Sequence, residues 1–358
     1  MEDYPRTLLE LEERFSGEQA CREYLFSLRW PDGFVCPRCG GRKSWPMSRG
    51  LWLCGQCRHQ TSVTAGTIFQ DTRLPLRLWF RAIWQVTSQK NGASALTVQR
   101  ILGLGSYKTA WTWLHKLRRA MVRPGRDRLG GRVEVDETYW GAPEEGVVGR
   151  LTHEKALIMV AAQQEGPRIG RIRMARVADL SRKSLHGFIG QAVEPGSTVV
   201  TDGLSVYDGL KGYRHEPIVL VGSGKTASEL LPRVHRVVSL LKRWLMGTLH
   251  GGIQPAYLDY YLDEFTFRFN RRTSASRGKL FYRLLQQAVQ IGPTTYQDIV
   301  SPPPLGVVES SKYPTSAMPV PSPRPGGSLA VLSLLLGLRG RRMMSAVRQR
   351  LDLGRCLF

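Results

Sequence analysis

Acidic residues are scarce in this chain. Only 29 Asp and Glu stand against 51 Lys and Arg, which leaves a net charge of +22 and a pI near 10.2. An excess of that size repels itself unless a polyanion neutralises it, so nucleic acid is the leading partner class, ahead of a merely basic protein. Cysteine is scarce too: there are six in 358 residues, and four fall in two C-x-x-C pairs, which excludes a disulfide framework and reads as metal binding. Long apolar runs are missing. The opening M-E-D-Y-P-R-T-L-L-E is charged and has no apolar core, so no signal peptide is expected. The apolar run Leu329–Leu338 is too short to span a bilayer, so no membrane partner is expected. A reducing, cytoplasmic and nucleoid-associated setting is the expectation. The length allows two or three domains with cores of their own.

The four paired cysteines, Cys36, Cys39, Cys54 and Cys57, read C-x2-C-x14-C-x2-C. Two-residue spacers let each pair wrap one side of a tetrahedral ion, and glycine beside or between the thiolates suits tight turns. All four positions of a structural Zn²⁺ are filled, so a catalytic zinc is not expected, and the metal would fold a module too small to have a core. Lys43–Trp45 and Leu51–Leu53 form the intervening hairpin. His59 lies just outside the motif and reads as a surface residue. Ahead of the ribbon, Thr7–Trp30 carries an apolar stripe that predicts a helix, with Cys21 a small buried residue on it.

Three helices are predicted next, over Leu74–Gln89, Ser94–Leu102 and Tyr107–Met121. The last two are separated by G-L-G-S. The third has Ala110, Trp113, Leu114 and Leu117 inward and Lys108, Lys116, Arg118 and Arg119 outward. Two short helices with a glycine turn and a basic second helix fit helix-turn-helix DNA binding, with those four cations as the DNA contacts. A plain helical connector with a solvated basic face is the alternative. Arg123–Arg132, R-P-G-R-D-R-L-G-G-R, reads as a linker.

The stretch R-V-E-V-D-E-T-Y (Arg132–Tyr139) alternates as a strand, with Val133, Val135, Glu137 and Tyr139 on one face and Glu134, Asp136 and Thr138 on the other. It places a carboxylate in mid-strand. Burying such a group unpaired costs several kcal/mol, about 3–5 where a buried pair loses its partner. Either the strand is a half-exposed edge with solvated acids, or a divalent metal compensates Asp136. Ala156–Ala162 and Ile169–Val177 read as further strands, Ser181–Val193 as an amphipathic helix with Ser181 its N-cap, and Thr198–Thr201 as a short strand ending on Asp202-Gly203. Leu230–Gly247 reads as a long helix, on which His235 and Lys242 stand two turns apart on one face.

These motifs (C-P-R-C-G and C-G-Q-C, V-D-E-T-Y, T-D-G, H-R-V-V-S-L-L-K-R-W-L-M-G-T and Y-L-D-E-F-T-F-R-F-N-R-R) are together highly specific. The chain resembles the insertion-sequence transposases that join an N-terminal zinc ribbon to a DDE-type domain, the ISXO-two-like branch, from about Leu8 to Gln290. The resemblance implies a multidomain protein. A small zinc ribbon and a helix-turn-helix-like segment would precede an α/β ribonuclease-H-like core with a mixed sheet. It implies two-metal-ion phosphoryl transfer on double-stranded DNA, namely cleavage at the element's terminal inverted repeats and strand transfer into target DNA, by a homo-oligomer. Asp136 and Asp202 would hold Mg²⁺ or Mn²⁺. Lys242 would contact a phosphate, and with Arg243 it would bind DNA.

One position departs from the pattern. The third ligand is usually Glu seven residues before a basic residue, and here that position holds His235. His235 resembles the third ligand of a D-D-H arrangement, which favours Mn²⁺ at least as much as Mg²⁺; a surface histidine is the other reading. Glu229 is the rival carboxylate, before Pro232 and on another face. Glu137 reads as structural, because it points away from Asp136. In the closing motif, Asp263, Glu264, Arg268 and Asn270 are expected to pack against the catalytic helix. The domains expected are residues 1–70 (helix and ribbon), 71–125 (helix-turn-helix-like), 130–295 (catalytic) and 296–358 (a Pro-rich, basic, disordered tail). A transposase remnant acting only as a DNA-binding protein or regulator is the competing class. A repair nuclease of the same fold would not predict the ribbon.

Overall fold

The computed structural model describes residues 2–123, 125–141, 155–219 and 222–301, so the expected Pro-rich tail beyond Ser301 lies outside the described residues. The predicted helix over Thr7–Trp30 is two helices, α1 (Leu8–Arg14) and α2 (Glu18–Arg29), broken at Gly17, which caps the second. Glycine is a poor helix former, and the break has a use. The Glu18 carboxylate accepts the Leu76 N–H at 2.8 and 3.1 Å through its two oxygens, at the start of a later helix that has no side-chain cap of its own. The ribbon hairpin of β1 (Ser44–Pro46) and β2 (Leu51–Cys54) gains a third antiparallel strand, β3 (Gln60–Ser62). The polar triplet Q-T-S has no apolar alternation to announce it. Three helices follow: α3 (Leu76–Ser88), α4 (Ala95–Leu102), whose Ser94 hydroxyl accepts the Thr97 N–H, and α5 (Tyr107–Ala120).

The second half is built on a five-stranded mixed sheet. Its strands are β4 (Arg132–Trp140), β5 (Ala156–Glu165), β6 (Arg168–Val177), β7 (Thr198–Thr201) and β8 (Arg214–Pro217), in the order β6-β5-β4-β7-β8. The β4–β5 and β5–β6 pairs are antiparallel, and the β4–β7 and β7–β8 pairs are parallel, the ribonuclease-H-like arrangement. Strand β8, R-H-E-P, is a half-exposed edge without apolar alternation, so its sequence does not announce a strand. Helix α6 (Arg182–Ala192) covers one face together with Val133 and Val135 of β4. The other face is covered by α8 (Pro232–Leu249), after a one-turn α7 (Ala227–Leu230), and by α9 (Leu258–Phe269). The predicted Leu230–Gly247 helix therefore starts later, at Pro232, where a proline at the first helical position loses no hydrogen bond.

The remaining helices return to the N-terminal half. Leu280, Phe281, Leu284 and Leu285 of α10 (Arg277–Ala288) join the core of α1–α5, with Phe281 edge-on to Phe80 and Trp84 at 5.7 and 5.8 Å. The last described helix, α11 (Tyr296–Val300), occupies the stretch where the tail is expected to begin.

Helix α9 is buried on both sides, because it lies between the sheet and the N-terminal helices. Its Asn270 side chain takes the Ile172 N–H at 2.7 Å and gives an N–H to the Ile172 carbonyl at 3.1 Å, which closes part of the β6 edge. Glu264, 1% exposed, bonds Arg118 of α5 and Arg268 of its own helix, both at 2.8 Å. The expected packing of the polar closing residues on the long helix is therefore corrected: Tyr261 and Phe265 of α9 meet Trp244 of α8, but Glu264 turns to α5, Arg268 to the Val86 and Gln89 carbonyls at the end of α3, and Asn270 to β6.

Burial raises the Glu264 pKa, but Arg268 and Arg118 outweigh it and hold the carboxyl below its ordinary value. Its stabilising contribution is present above the unfolded value of about 4.3 and is lost as pH falls through the depressed folded value. Glu264→Ala is expected to cost about 3–5 kcal/mol, because the buried Arg118 guanidinium loses its carboxylate and Arg268 keeps only its carbonyl partners. Urea titrations at neutral pH should show this loss. The variant's stability should also fall less steeply than the wild type's below about pH 4.

Candidate active site and zinc ribbon

Parallel pairing of β4 with β7 aligns Arg132 with Thr198 and Glu134 with Val200. Two residues further on, that register sets Asp136 level with Asp202, one residue past the end of β7. Gly203 follows with φ +78°, a left-handed turn that takes the chain off the sheet, and a Cβ there would press on Val219 at 3.3 Å. The Leu204 N–H donates to Asp202 Oδ1 at 3.3 Å.

Carboxylate oxygens of Asp136, Glu137 and Asp202 lie within 4.8 Å of one another. Glu137 therefore belongs to the cluster, which corrects its reading as structural. Alternation does send it to the opposite face from Asp136, but β7 has already ended. Asp202 lies off the strand end, where a long side chain from either face of β4 can meet it. The Tyr207 hydroxyl, buried beneath, donates to Glu137 Oε2 at 2.9 Å. Burial first, then the charge of Glu137, pushes the Tyr207 pKa far up, so the hydroxyl remains a donor.

Three converging carboxylates repel one another, and Asp136 is only 8% exposed. Oxygen donors gathered in this way suit a hard divalent cation, and Mg²⁺ or Mn²⁺ fits the donor set better than a thiophilic ion.

Helix α8 reaches the cluster through Glu134, two residues before Asp136 on the same strand face. Its carboxylate accepts the backbone N–H groups of Arg233 and Val234 at 2.7 and 2.9 Å and the Arg233 guanidinium at 2.8 Å. A carboxylate at a helix N-terminus satisfies orphan amides and the positive end of the helix dipole. This clamp sets His235 one residue further on, with Nε2 3.4 Å from Asp136 Oδ2. Partial burial lowers the His235 pKa against the pull of Glu134 and Asp202, which favours the neutral imidazole. His235 borders the carboxylate cluster through Asp136.

Lys242 lies about 10 Å along the same helix and is exposed, as is Arg243. Glu229 is accounted for elsewhere, in a capping box with Thr226 on α7. Glu134→Ala is expected to destabilise the fold by about 2 kcal/mol through loss of the buried charged cap, and Glu134→Gln by less. Thermal melts of the two variants beside the wild type would check this.

In the ribbon, one Sγ from each of Cys36, Cys39, Cys54 and Cys57 falls within 4.8 Å of the others, with Cys36–Cys57 and Cys39–Cys54 both at 3.6 Å. Tetrahedral Zn–S bonds of about 2.3 Å imply S–S separations of about 3.8 Å, so the four thiolates fit zinc. The backbone N–H groups of Arg38, Gly41 and Gln56 each point at a sulfur at 3.4 Å. At Cys54 the Cys57 backbone, ahead of that of Gln56, holds the thiol pKa down to about 6.

An ISXO2-like transposase domain matches residues 128–270, the sheet with its acid cluster and α8, and a transposase zinc-ribbon domain matches residues 16–60. The chain belongs to this transposase family. An uncharacterized protein in transposable element ISH50 of Halobacterium salinarum is 27% identical over 278 residues, which is 71% of this chain and 91% of the relative. The chain carries all four ribbon cysteines and Asp136, Asp202 and His235 within the matched spans, whereas α3–α5 lie between them.

The candidate DNA contacts on α5 divide. Lys108 is exposed, with its ammonium 3.7 Å from the Tyr296 ring centre, and Lys116 is half-buried. Arg118 and Arg119, expected outward, are inside: Arg118 is 2% exposed against Glu264, and Arg119 donates to the Thr294 hydroxyl. The sequence does carry the signal, since Arg118 stands four residues after Leu114 on the apolar stripe. No described helix is long and apolar enough to cross a membrane.

Proposed function

We propose that this protein is an active DNA transposase, which binds the terminal inverted repeats of its element, cleaves there and joins the freed end to target DNA. The observation that carries the reading is the meeting of Asp136 and Glu137, in the middle of β4, with Asp202, just past the end of the parallel strand β7, bordered by His235. Asp136, Asp202 and His235 would hold Mg²⁺ or Mn²⁺, with Glu137 beside them. Bound divalent ions would stabilise the charge that develops as a phosphodiester oxygen is displaced. The chain's own residues do the rest. Glu134 fixes the start of α8, Tyr207 orients Glu137, and Lys242 and Arg243 present cations on the exposed side of α8 to the DNA backbone.

Duplex DNA is the expected partner of a chain with net charge +22, the expected setting is the cytoplasm, and the assembly on two element ends is a homo-oligomer. Strand cleavage of a labelled duplex carrying the element's own end, assayed in Mg²⁺ and in Mn²⁺, tests the reading. His235→Ala is expected to lower cleavage by about a hundredfold or more. His235→Glu should shift the preference towards Mg²⁺ by supplying an oxygen ligand. Full activity in His235→Ala would remove His235 from the metal site. Absence of any cleavage by the wild type in either metal would favour the decayed, DNA-binding form.

A further inference from the structure

Burial of Arg118 and Arg119 removes half of the basic face expected on α5, and the surface cations nearby are arranged differently. Two open cavities adjoin on the N-terminal half. One, of about 630 Å³, lies between the ribbon and the start of α3 and is lined by Arg22, Arg49, Arg73 and Arg77. The other, of about 530 Å³, lies between the start of α3 and the N-terminal part of α5 and is lined by Arg73, Lys108 and Lys116. Thr72, Arg73 and Leu74 line both, so the two share a wall with Arg73 on it.

Against these six cations the linings hold two acids, Glu18 and Asp71. Glu18 is already engaged by the Leu76 N–H and lies 3.8 Å from Arg22. Hydroxyls of Thr109 and Thr112 and the backbone at Gly103 and Gly105 line the α5 side. Ser106, which lines the same cavity, gives the first turn of α5 no side-chain cap. Cations and hydroxyls beside a helix start are what duplex backbones are held by, and none of them reads base sequence.

We propose that the two cavities form one phosphate-binding track, which carries the backbone of a DNA duplex from the ribbon hairpin at Arg49, past Arg73, to the start of α5. The inference rests on the transposase reading for the identity of its ligand. It adds the path: the ribbon and the helical segment grip one duplex jointly through the 72–74 segment, with the phosphates on Arg22, Arg49, Arg73, Arg77, Lys108 and Lys116. Arg73 is the residue on which both halves depend. Arg49, Arg73 and Arg77 are exposed and form no ion pair among the described residues, so they are available to an incoming polyanion.

The test uses the full-length, zinc-loaded chain and a fluorescent duplex of about 30 base pairs of arbitrary sequence, with Kd measured across a salt series. Arg49→Ala, Arg73→Ala and Arg77→Ala are each expected to weaken binding about tenfold at low salt. Each should also make the slope of log affinity against log salt shallower, by about 0.9 for every phosphate left unneutralised. Arg81→Ala, on α3 but outside both cavities and paired with Glu12, serves as the control and should leave the slope unchanged. Because all four positions are exposed, unchanged melting temperatures will show that the variants are folded. Wild-type affinity and slope in Arg73→Ala would overturn the track while leaving the transposase reading intact. Failure of the wild type to bind duplex at any salt would overturn both.

Discussion

Asp136→Asn is expected to lower strand cleavage and strand transfer by about a thousandfold or more while leaving duplex binding within about twofold of wild type. The asymmetry follows from where the two tasks sit. Asp136 is buried at the centre of β4, and its oxygens meet Glu137, Asp202 and His235, so the isosteric amide removes one charge from the carboxylate cluster proposed to hold the metal without changing its shape. DNA, by contrast, would be held by cations on α3, α5, α8 and the ribbon. The variant is also expected to melt no lower than the wild type in metal-free buffer, because removing one of three clustered negative charges relieves repulsion. Gel assays of end cleavage and strand joining, band shifts and thermal melts on the same preparations would check these outcomes. Cleavage at the wild-type rate would remove Asp136 from the chemistry.

Removing zinc is expected to have the second-largest effect. Structural zinc contributes about 10 kcal/mol or more of apparent binding free energy in small modules, which here is folding free energy of the ribbon. Cys36 and Cys54 lie in the same core as α2, and Trp52 of β2 packs on Phe26 of α2 at 4.3 Å between ring centres. Chelation, or Cys54→Ser, should therefore unfold residues of the 36–62 hairpin region and expose Trp52, whereas the five-stranded sheet, with two clusters of its own, stays folded. Elemental analysis of reduced protein should find about one zinc per chain. Limited proteolysis should cut the zinc-free chain first within the ribbon. A ribbon equally resistant with and without zinc would refute the structural role.

Much of this protein is determined by local pattern. The C-x2-C pairs require only short-range turns to bring thiolates together, so the ribbon is legible residue by residue; helix α4 falls where Ser94 and Gly103 cap it, and α5 where its apolar stripe places it. Strand β4 is equally plain from its alternation, and Asp136 and Asp202 stand out because a carboxylate within or just after an apolar strand needs a reason. What the pattern does not decide is anything set by a neighbour distant in sequence.

Alternation gives Glu137 the wrong role because it describes a continuous sheet, and β7 stops one residue before Asp202. Glu134 shows no function until Arg233 and Val234, about a hundred residues away, place their amides on it. Arg118 and Arg119 count as surface cations until α9 and the 294 region cover them, and Glu264 supplies the charge that lets Arg118 be buried. The break at Gly17 gains its purpose from the helix start at Leu76. In each case a polar group leaves the solvent only because the tertiary fold brings a partner to it, and hydrogen-bond partners chosen across the chain leave no periodic mark in the sequence.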